Sequence, residues 1–334
     1  MRESIILKLG RANNKFALPM LTRIIVITMA LGLFSCGGSK PKSLPYDYEA
    51  AASAFASDES FYPILDEELE VYQALHAQGE LKAVYTDQED AIRQLMENKV
   101  WLAFGTRQLS PREIESLKAR SFQPRVIPIA YDGLAIIVNN ANPDTCISVK
   151  DFRRILSGEV TNWKEIYPNS KLGAIDVVFD NPKSSTVTYC VDSILGGKPI
   201  QGTDNIGAVK KSAEVIDWVE RHENAIGIIG SNWLNDKHDT TNVTFKKNIT
   251  VMKVSRLDSA TAHNSFKPYQ YYLYNGNYPL IRTIYALLNE PRSGVPSGFA
   301  HFCRLPKGQM IIFRAGLLPI QAGLEVRDVN VTKE

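Results

Sequence analysis

Between Ala174 and Gly197 the chain changes from strand-like to helix-like spacing within a few residues. Ile175, Val177 and Phe179 alternate with Asp176, Val178 and Asp180, which predicts a mostly buried strand. Asn181, Pro182 and Lys183 break it. Val187, Cys190, Val191, Ile194 and Leu195 then share one helix face, and Gly196-Gly197 predicts its stop. Ser184, Ser185 and Thr186 stand at the start of that helix. Hydroxyls beside free N–H groups suit either ordinary N-capping or the holding of an oxyanion, and the pattern alone leaves both readings open.

The same strand, polar turn, helix order recurs along the chain. Ala50 to Ala56 predicts a first strand, followed by the turn Asp58-Glu59-Ser60-Phe61 and a helix with Ile64, Leu65, Leu69, Tyr72 and Leu75 on one face. Leu81 to Tyr85 predicts a strand, and Thr86-Asp87 opens a helix through Ala91, Ile92, Leu95 and Met96. Val100 to Phe104 is a further strand. Beyond it, Ser110, Pro111 and Glu113 carry the side chains of a helix start. Thr106 and Arg107 therefore lie just past a strand end, where open α/β sheets bind ligands. Arg125 to Val138 holds two apolar runs around Tyr131-Asp132-Gly133, and Ser148 starts a helix through Phe152, Ile155 and Leu156. Later segments read as helix (213–219), strand (225–230) and strand (249–254). Pro279 to Leu288, Ser297 to Leu305 and Gly308 to Ala315 read as helices, the last closed by Gly316. Alternating strands and helices imply an α/β fold with mainly parallel sheets.

The N-terminus changes the picture. Arg11, Lys15 and Arg23 precede the apolar run Ile24 to Phe34, which is short for a membrane span and reads as the core of a signal peptide. It ends in Leu33-Phe34-Ser35-Cys36, which resembles the lipobox of bacterial lipoproteins, with Cys36 the lipidated residue. Met20 is an alternative start, since 20–36 already makes a short complete signal. Residues 1–35 carry a net charge of +4 and the whole chain +2, so the remainder is about −2. The basic balance belongs to the signal, and bulk charge gives no support to nucleic-acid binding. Residues 36–49 read as a tether. Cys146, Cys190 and Cys303 remain; Cys190 lies on an apolar helix face as a core thiol, and a Cys146–Cys303 disulfide stays open.

Other chemistry finds little footing. His76, His222, His238, His263 and His301 are scattered without metal-ligand spacing. Neither a Gly-x-Ser-x-Gly elbow nor a P-loop occurs. The expectation is a binding protein rather than an enzyme, with no catalytic residue, metal or cofactor. Tyr269, Tyr271, Tyr272, Tyr274 and Tyr278 read as strand alternation or packing rather than a carbohydrate platform.

Four motifs then occur in a telling order: Gly158-Glu-Val-Thr-Asn-Trp163, Ser184-Ser-Thr186, Ala225-Ile-Gly-Ile-Ile-Gly230, and Gly308-Gln309 with Gly316-Leu-Leu-Pro319. Together, behind a lipobox, they resemble the phosphate-binding protein family of phosphate ABC transporters, from about Ala50 to Pro319. The resemblance implies an α/β, two-lobed periplasmic-binding-protein (type II) fold of mixed, mainly parallel sheets with a cleft between the lobes. The first lobe would be 50–132 plus 256–334 and the second 133–255, behind the 1–35 signal. It implies a monomeric lipoprotein on the periplasmic side of the envelope that binds inorganic phosphate and delivers it to an ABC permease. A same-fold receptor for another oxyanion or small ligand, and a sensing or interaction lipoprotein, are the alternatives. By motif, Ser60 and Phe61 fall on the first phosphate loop, Thr86 near the second, Thr106 and Arg107 on the third, and Ser184, Ser185 and Thr186 on the family's Ser-Gly-Thr. Asp180 stands where the family has arginine, and Ser185 where it has glycine. Arg107 is the candidate replacement cation, with Lys183 behind it, and Asp180 or Asp132 is the candidate proton acceptor.

Overall fold

The computed structural model describes residues 46–76, 80–201, 204–235 and 245–320. The signal peptide, Cys36, the first part of the tether and the end of the chain lie outside the described residues. The chain begins with helix α1 (Tyr48–Ala52), strand β1 (Ala54–Asp58), a 3-10 turn (Glu59–Phe61) and α2 (Tyr62–Leu75). Strand β2 (Lys82–Thr86), α3 (Gln88–Met96), β3 (Leu102–Gly105) and α4 (Pro111–Ala119) lead to the long β4 (Arg125–Asn139). Then come β5 (Cys146–Ser148), α5 (Val149–Leu156), β6 (Asp176–Phe179) and α6 (Ser185–Tyr189), which runs on as a π-helical turn (Cys190–Ile194). Strand β7 (Ile206–Ala208), α7 (Ser212–Arg221), β8 (Ala225–Gly230), β9 (Ile249–Val251) and β10 (Lys253–Ser255) follow. The chain closes with α8 (Gln270–Tyr274), β11 (Ile281–Leu288), α9 (Val295–Phe302), α10 (Pro306–Arg314) and β12 (Leu318–Pro319).

Strand β4 organises the fold. The main sheet runs β2-β1-β3-β11-β4-β8-β6-β7, with β9 and β12 also paired to β4. The N-terminal part of β4 pairs antiparallel with β11 and β12, and its C-terminal part with β8 and β9. The outer pairs on either side, β1 with β2 and β3 and β6 with β7 and β8, are parallel. The period of two is visible in the cores. Leu134, Ile136 and Val138 enter one apolar cluster with Val177 and Ile226, while Ala135 and Ile137 enter another with Val178 and Val215. Across β4, Phe55 and Ala56 likewise face two different clusters. Strands buried on both faces read as apolar runs, which is why these segments were legible in the sequence.

Several local expectations hold. Ser110 and Glu113 form a reciprocal capping box at α4, and Ser148 caps α5. Gly196 and Gly197 take positive φ at the predicted stop. Others need correction. Ala50–Ala56 is not one strand: the Asp47 side chain accepts from the N–H of Ala50 and caps α1, so β1 begins only at Ala54. The run 249–254 is divided between two sheets, broken at Met252, whose N–H donates to Ile136 O. The tyrosine-rich segment is a short helix rather than alternation on a strand, tied down by Gln270 to the carbonyls of Phe313 and Leu317. Cys146 and Cys303 are free thiols, one opening β5 and the other buried in the core packed beside α9. The largest correction is Pro279–Leu288, which is the central strand β11 rather than a helix. Ile281, Thr283, Ile284 and Tyr285 are β-branched or aromatic, and burial alternates along the strand.

Candidate functional site

The segment end Asp58 of β1 and the start of α6 come together across the fold, although they are far apart in sequence. Asp58 Oδ1 accepts the N–H of Ser60 at 2.8 Å, and Asp58 Oδ2 accepts the N–H of Ser185 at 2.6 Å. Ser60 Oγ lies 3.0 Å from Ser185 Oγ. Arg282 Nη1 donates to Ser185 Oγ at 2.9 Å, and its Nε donates to Asp132 Oδ2 at 2.8 Å. Asp132 Oδ1 takes the N–H and hydroxyl of Ser231 at 2.9 and 2.7 Å. Asp58, Ser60, Asp132, Ser185 and Arg282 are all buried. The Arg282 guanidinium also lies over the ring of Phe61, 5.1 Å from its centroid.

Further contacts join the first turn to the opposite half. Asn232 Nδ2 and Trp233 Nε1 donate to Ser60 O at 2.9 and 2.8 Å. The N–H and hydroxyl of Ser212 both reach Glu59 Oε2 at 2.9 Å. Gly230 makes room for the central pair. A Cβ there would stand 2.5 Å from Asn232 Oδ1, 2.8 Å from Arg282 Nη2 and 3.0 Å from Asp132 Oδ2.

Beside this cluster runs a hydroxyl chain. Thr186 Oγ1 is 2.5 Å from Asp180 Oδ1, Ser184 Oγ is 2.7 Å from Thr186 Oγ1, and Ser184 donates to Asn181 O at 2.8 Å. Each hydroxyl has one proton to give. Thr186 donates to Asp180 Oδ1, which also accepts the N–H of Asn181 at 3.0 Å, and these donors favour the charged carboxylate. Burial raises the Asp180 carboxyl to about 7, with Asp58 adding to the rise against the hydrogen bonds of Thr186 and Ser184 and the charge of Arg282. Burial also pushes Asp58 up, opposed by the hydrogen bonds from Ser60 and Ser185 and by Arg282.

Of the residues expected from sequence, the fold brings Ser60, Phe61, Asp132, Asp180, Ser184, Ser185 and Thr186 into one buried region. Three stand apart. Thr86 Oγ1 donates to Asp90 at 2.8 Å, and the N–H and hydroxyl of Thr106 both go to Gln88 Oε1. The Arg107 fork is committed to Glu113 at 2.9 and 3.0 Å and to Glu89 at 3.1 and 3.3 Å. Burial works against its charge, but both glutamates outweigh it and hold its pKa above the ordinary value. Thr106 and Arg107 do line a cavity of about 210 Å³ that reaches Arg282. A larger cavity of about 770 Å³, bordered by Asp87, Glu89, Asp90 and Lys183, contains none of the buried donors. Size therefore does not single out the candidate site, and the converging buried donors lie elsewhere.

Comparison with known families decides the ancestry. A model of the PBP superfamily domain matches residues 49–304. The chain belongs to the PBP superfamily. Within it, the chain is similar to the phosphate-binding protein PstS of Borreliella burgdorferi, 24% identical over 78% of this chain and 86% of that protein. It is also similar to protein SphX of Synechococcus elongatus, 21% identical, although that match spans only 52% of each chain. Among solved structures, a substrate-binding protein from Clostridium perfringens, ascribed to a phosphate ABC transporter and holding phosphate, superposes with a TM-score of 0.67. It is 21% identical and the match covers 81% of this chain and all of that one. A phosphate transport receptor from Vibrio cholerae gives a TM-score of 0.59 at 20% identity, over 80% of this chain and 98% of that one. These likenesses establish the two-lobed periplasmic-binding-protein fold.

For this member of the PBP superfamily, sequence reasoning missed Arg282, Asp58, Ser231 and Asn232. Arg282 was hidden by the helical reading of β11. Strand alternation would have exposed it: Arg282 takes the same face as Ile284 and Ala286, a charged residue on an otherwise buried stripe.

Proposed function

We propose that the chain is a solute receptor that captures inorganic phosphate, or a closely related tetrahedral oxyanion, between its lobes and passes it to an ABC permease. The observation that carries the reading is the buried set of donors from both halves: Ser60, Ser185 and Arg282. A guanidinium fork and hydroxyls in a dry site suit an oxyanion. The lobes, 50–132 with 256–334 and 133–255, close on it. Asp180, raised by burial to about 7, is the candidate proton acceptor for hydrogen phosphate, and Asp132 is the anchor of Arg282. Thr106 and Arg107 flank the approach, and Thr86 stands outside. No catalytic step is assigned, and no metal or cofactor is required. The signal at 1–35 and the lipidated Cys36 would tether a monomer on the periplasmic side of the cell envelope. Among the described residues no helix is long and apolar enough to cross a membrane.

A second reading follows from the acid content. Asp58, Asp132 and Asp180 lie around the single arginine of the described cluster, and Glu59 on the adjoining turn is bonded to Ser212, a balance that also suits an oxyanion other than phosphate or a small ligand rich in hydrogen-bond donors. Calorimetric titration of protein starting after Cys36, stripped of bound solute by unfolding and refolding, separates the two. Tight one-to-one phosphate binding with sulfate silent is expected. Absence of heat with phosphate, arsenate and sulfate from correctly refolded protein removes the oxyanion reading.

A further inference from the structure

Two N–H groups that face the proposed site already have a carboxylate on them. Asp58 Oδ1 and Oδ2 take the N–H of Ser60 and the N–H of Ser185 at 2.8 and 2.6 Å. These donors come from opposite halves of the fold, and the two serine hydroxyls meet between them at 3.0 Å. Arg282 completes the ring by donating to Ser185 Oγ. Its Nε and Nη2 both lie 2.8 Å from Asp132 Oδ2, with the side chain 1% exposed.

We infer that Asp58 is an internal stand-in for the oxyanion, a carboxylate that competes with the ligand for the N–H groups of Ser60 and Ser185 and thereby sets the affinity of the site. The inference rests on the oxyanion reading of the cleft. The chemistry is direct. A carboxylate presents two oxygens on one carbon, as one edge of a tetrahedral oxyanion presents two on its central atom, and both accept from N–H donors at the same range. An incoming anion must take these donors from Asp58 or lie against it. Displacement and like-charge repulsion both weaken binding, so removing the Asp58 charge acts in one direction. The same contact pulls the end of β1 onto the start of α6. Asp58 therefore holds together the two segments that the ligand would bridge.

The test is calorimetric titration of phosphate, arsenate and sulfate into stripped wild type, Asp58→Asn and Asp58→Ser, with the fold checked by near-ultraviolet circular dichroism. Asn keeps one acceptor and loses the charge; Ser is the second variant should Asn fail to fold. The expected result is phosphate affinity raised by about tenfold or more in either variant, the size set by relieving one charged hydrogen-bonded contact. Wild-type binding that is unchanged or weakened in both folded variants overturns it and leaves the oxyanion reading in place, with Asp58 then a contact for the ligand. No oxyanion binding by any of the three folded proteins overturns both.

Discussion

Arg282 and Asp132 stand directly opposite each other on the antiparallel pair β11–β4, and their side chains meet at 2.8 Å with 1% and 0% exposed. The pair sits where β4 passes from one half of the fold to the other, between residues paired with β11 and residues paired with β8. A cross-strand register thus delivers a cation to the cleft and neutralises one of its acids in the same step.

Breaking that pair from one side leaves a buried charge uncompensated, at a cost of about 3–5 kcal/mol. Arg282→Met is expected to lose stability on that scale in urea unfolding and to abolish the phosphate heat. Because the two residues touch, Arg282→Met with Asp132→Asn should lose less than the sum of the single variants. Additive losses would show that the pair is not coupled.

Arg107 predicts the opposite outcome. Its partners Glu89 and Glu113 are partly exposed, and such pairs contribute about 1 kcal/mol or less. Arg107→Ala should leave phosphate affinity within about threefold by titration. A loss as large as that of Arg282→Met would return Arg107 to the centre of the site.

The hydroxyl chain through Thr186 can be cut without changing shape. Thr186→Val removes the partner of Asp180 and of Ser184, at about 1–3 kcal/mol for buried polar groups left unmatched. Thr186→Ser should restore most of it. The comparison is made by urea unfolding at fixed pH, and a Thr186→Val protein as stable as wild type would exclude the chain from the folded structure's support.

Stability should fall as the solution becomes more alkaline across neutrality. Glu68 is buried on α2 without a hydrogen-bond partner for either carboxyl oxygen, and burial, with Glu67 adding, lifts it from 4.5 to about 8. The folded protein then holds a proton that the unfolded chain has released, so the favourable contribution of the neutral acid is complete below pH 4.5 and is lost as pH rises towards 8. Asp180 acts in the same direction over a window that ends near 7. Melting temperature should therefore be higher at pH 5 than at pH 8, and Glu68→Gln should flatten the slope. An unaltered slope in Glu68→Gln would assign the effect to the cleft acids alone.

Local order was legible because it depends on near neighbours. The Ser110 capping box, the Ser184 N-cap and the strand 225–230 each follow from side chains within a few positions of one another. Part of the site was legible for the same reason, since Ser60 and Ser184 to Thr186 stand at turns that any strand-to-helix passage exposes. The exception was β11. Its apolar content fits both periods, and only pairing between β3 and β4 decides for the strand.

By itself, then, the amino-acid sequence determined the α/β alternation, the hydroxyl-bearing turns and the membership that its motifs suggest. Tertiary structure alone decided which charges meet. Asp58 reaches Ser185 across 127 positions and Arg282 reaches Asp132 across 150. Neither contact has a local signature, because each is set by strand register and by the crossing of β4, and burial then makes the pairing obligatory. The physical reason is range. Periodicity and capping act over one or two turns, whereas the partner of a buried charge is chosen by how whole sheets come together.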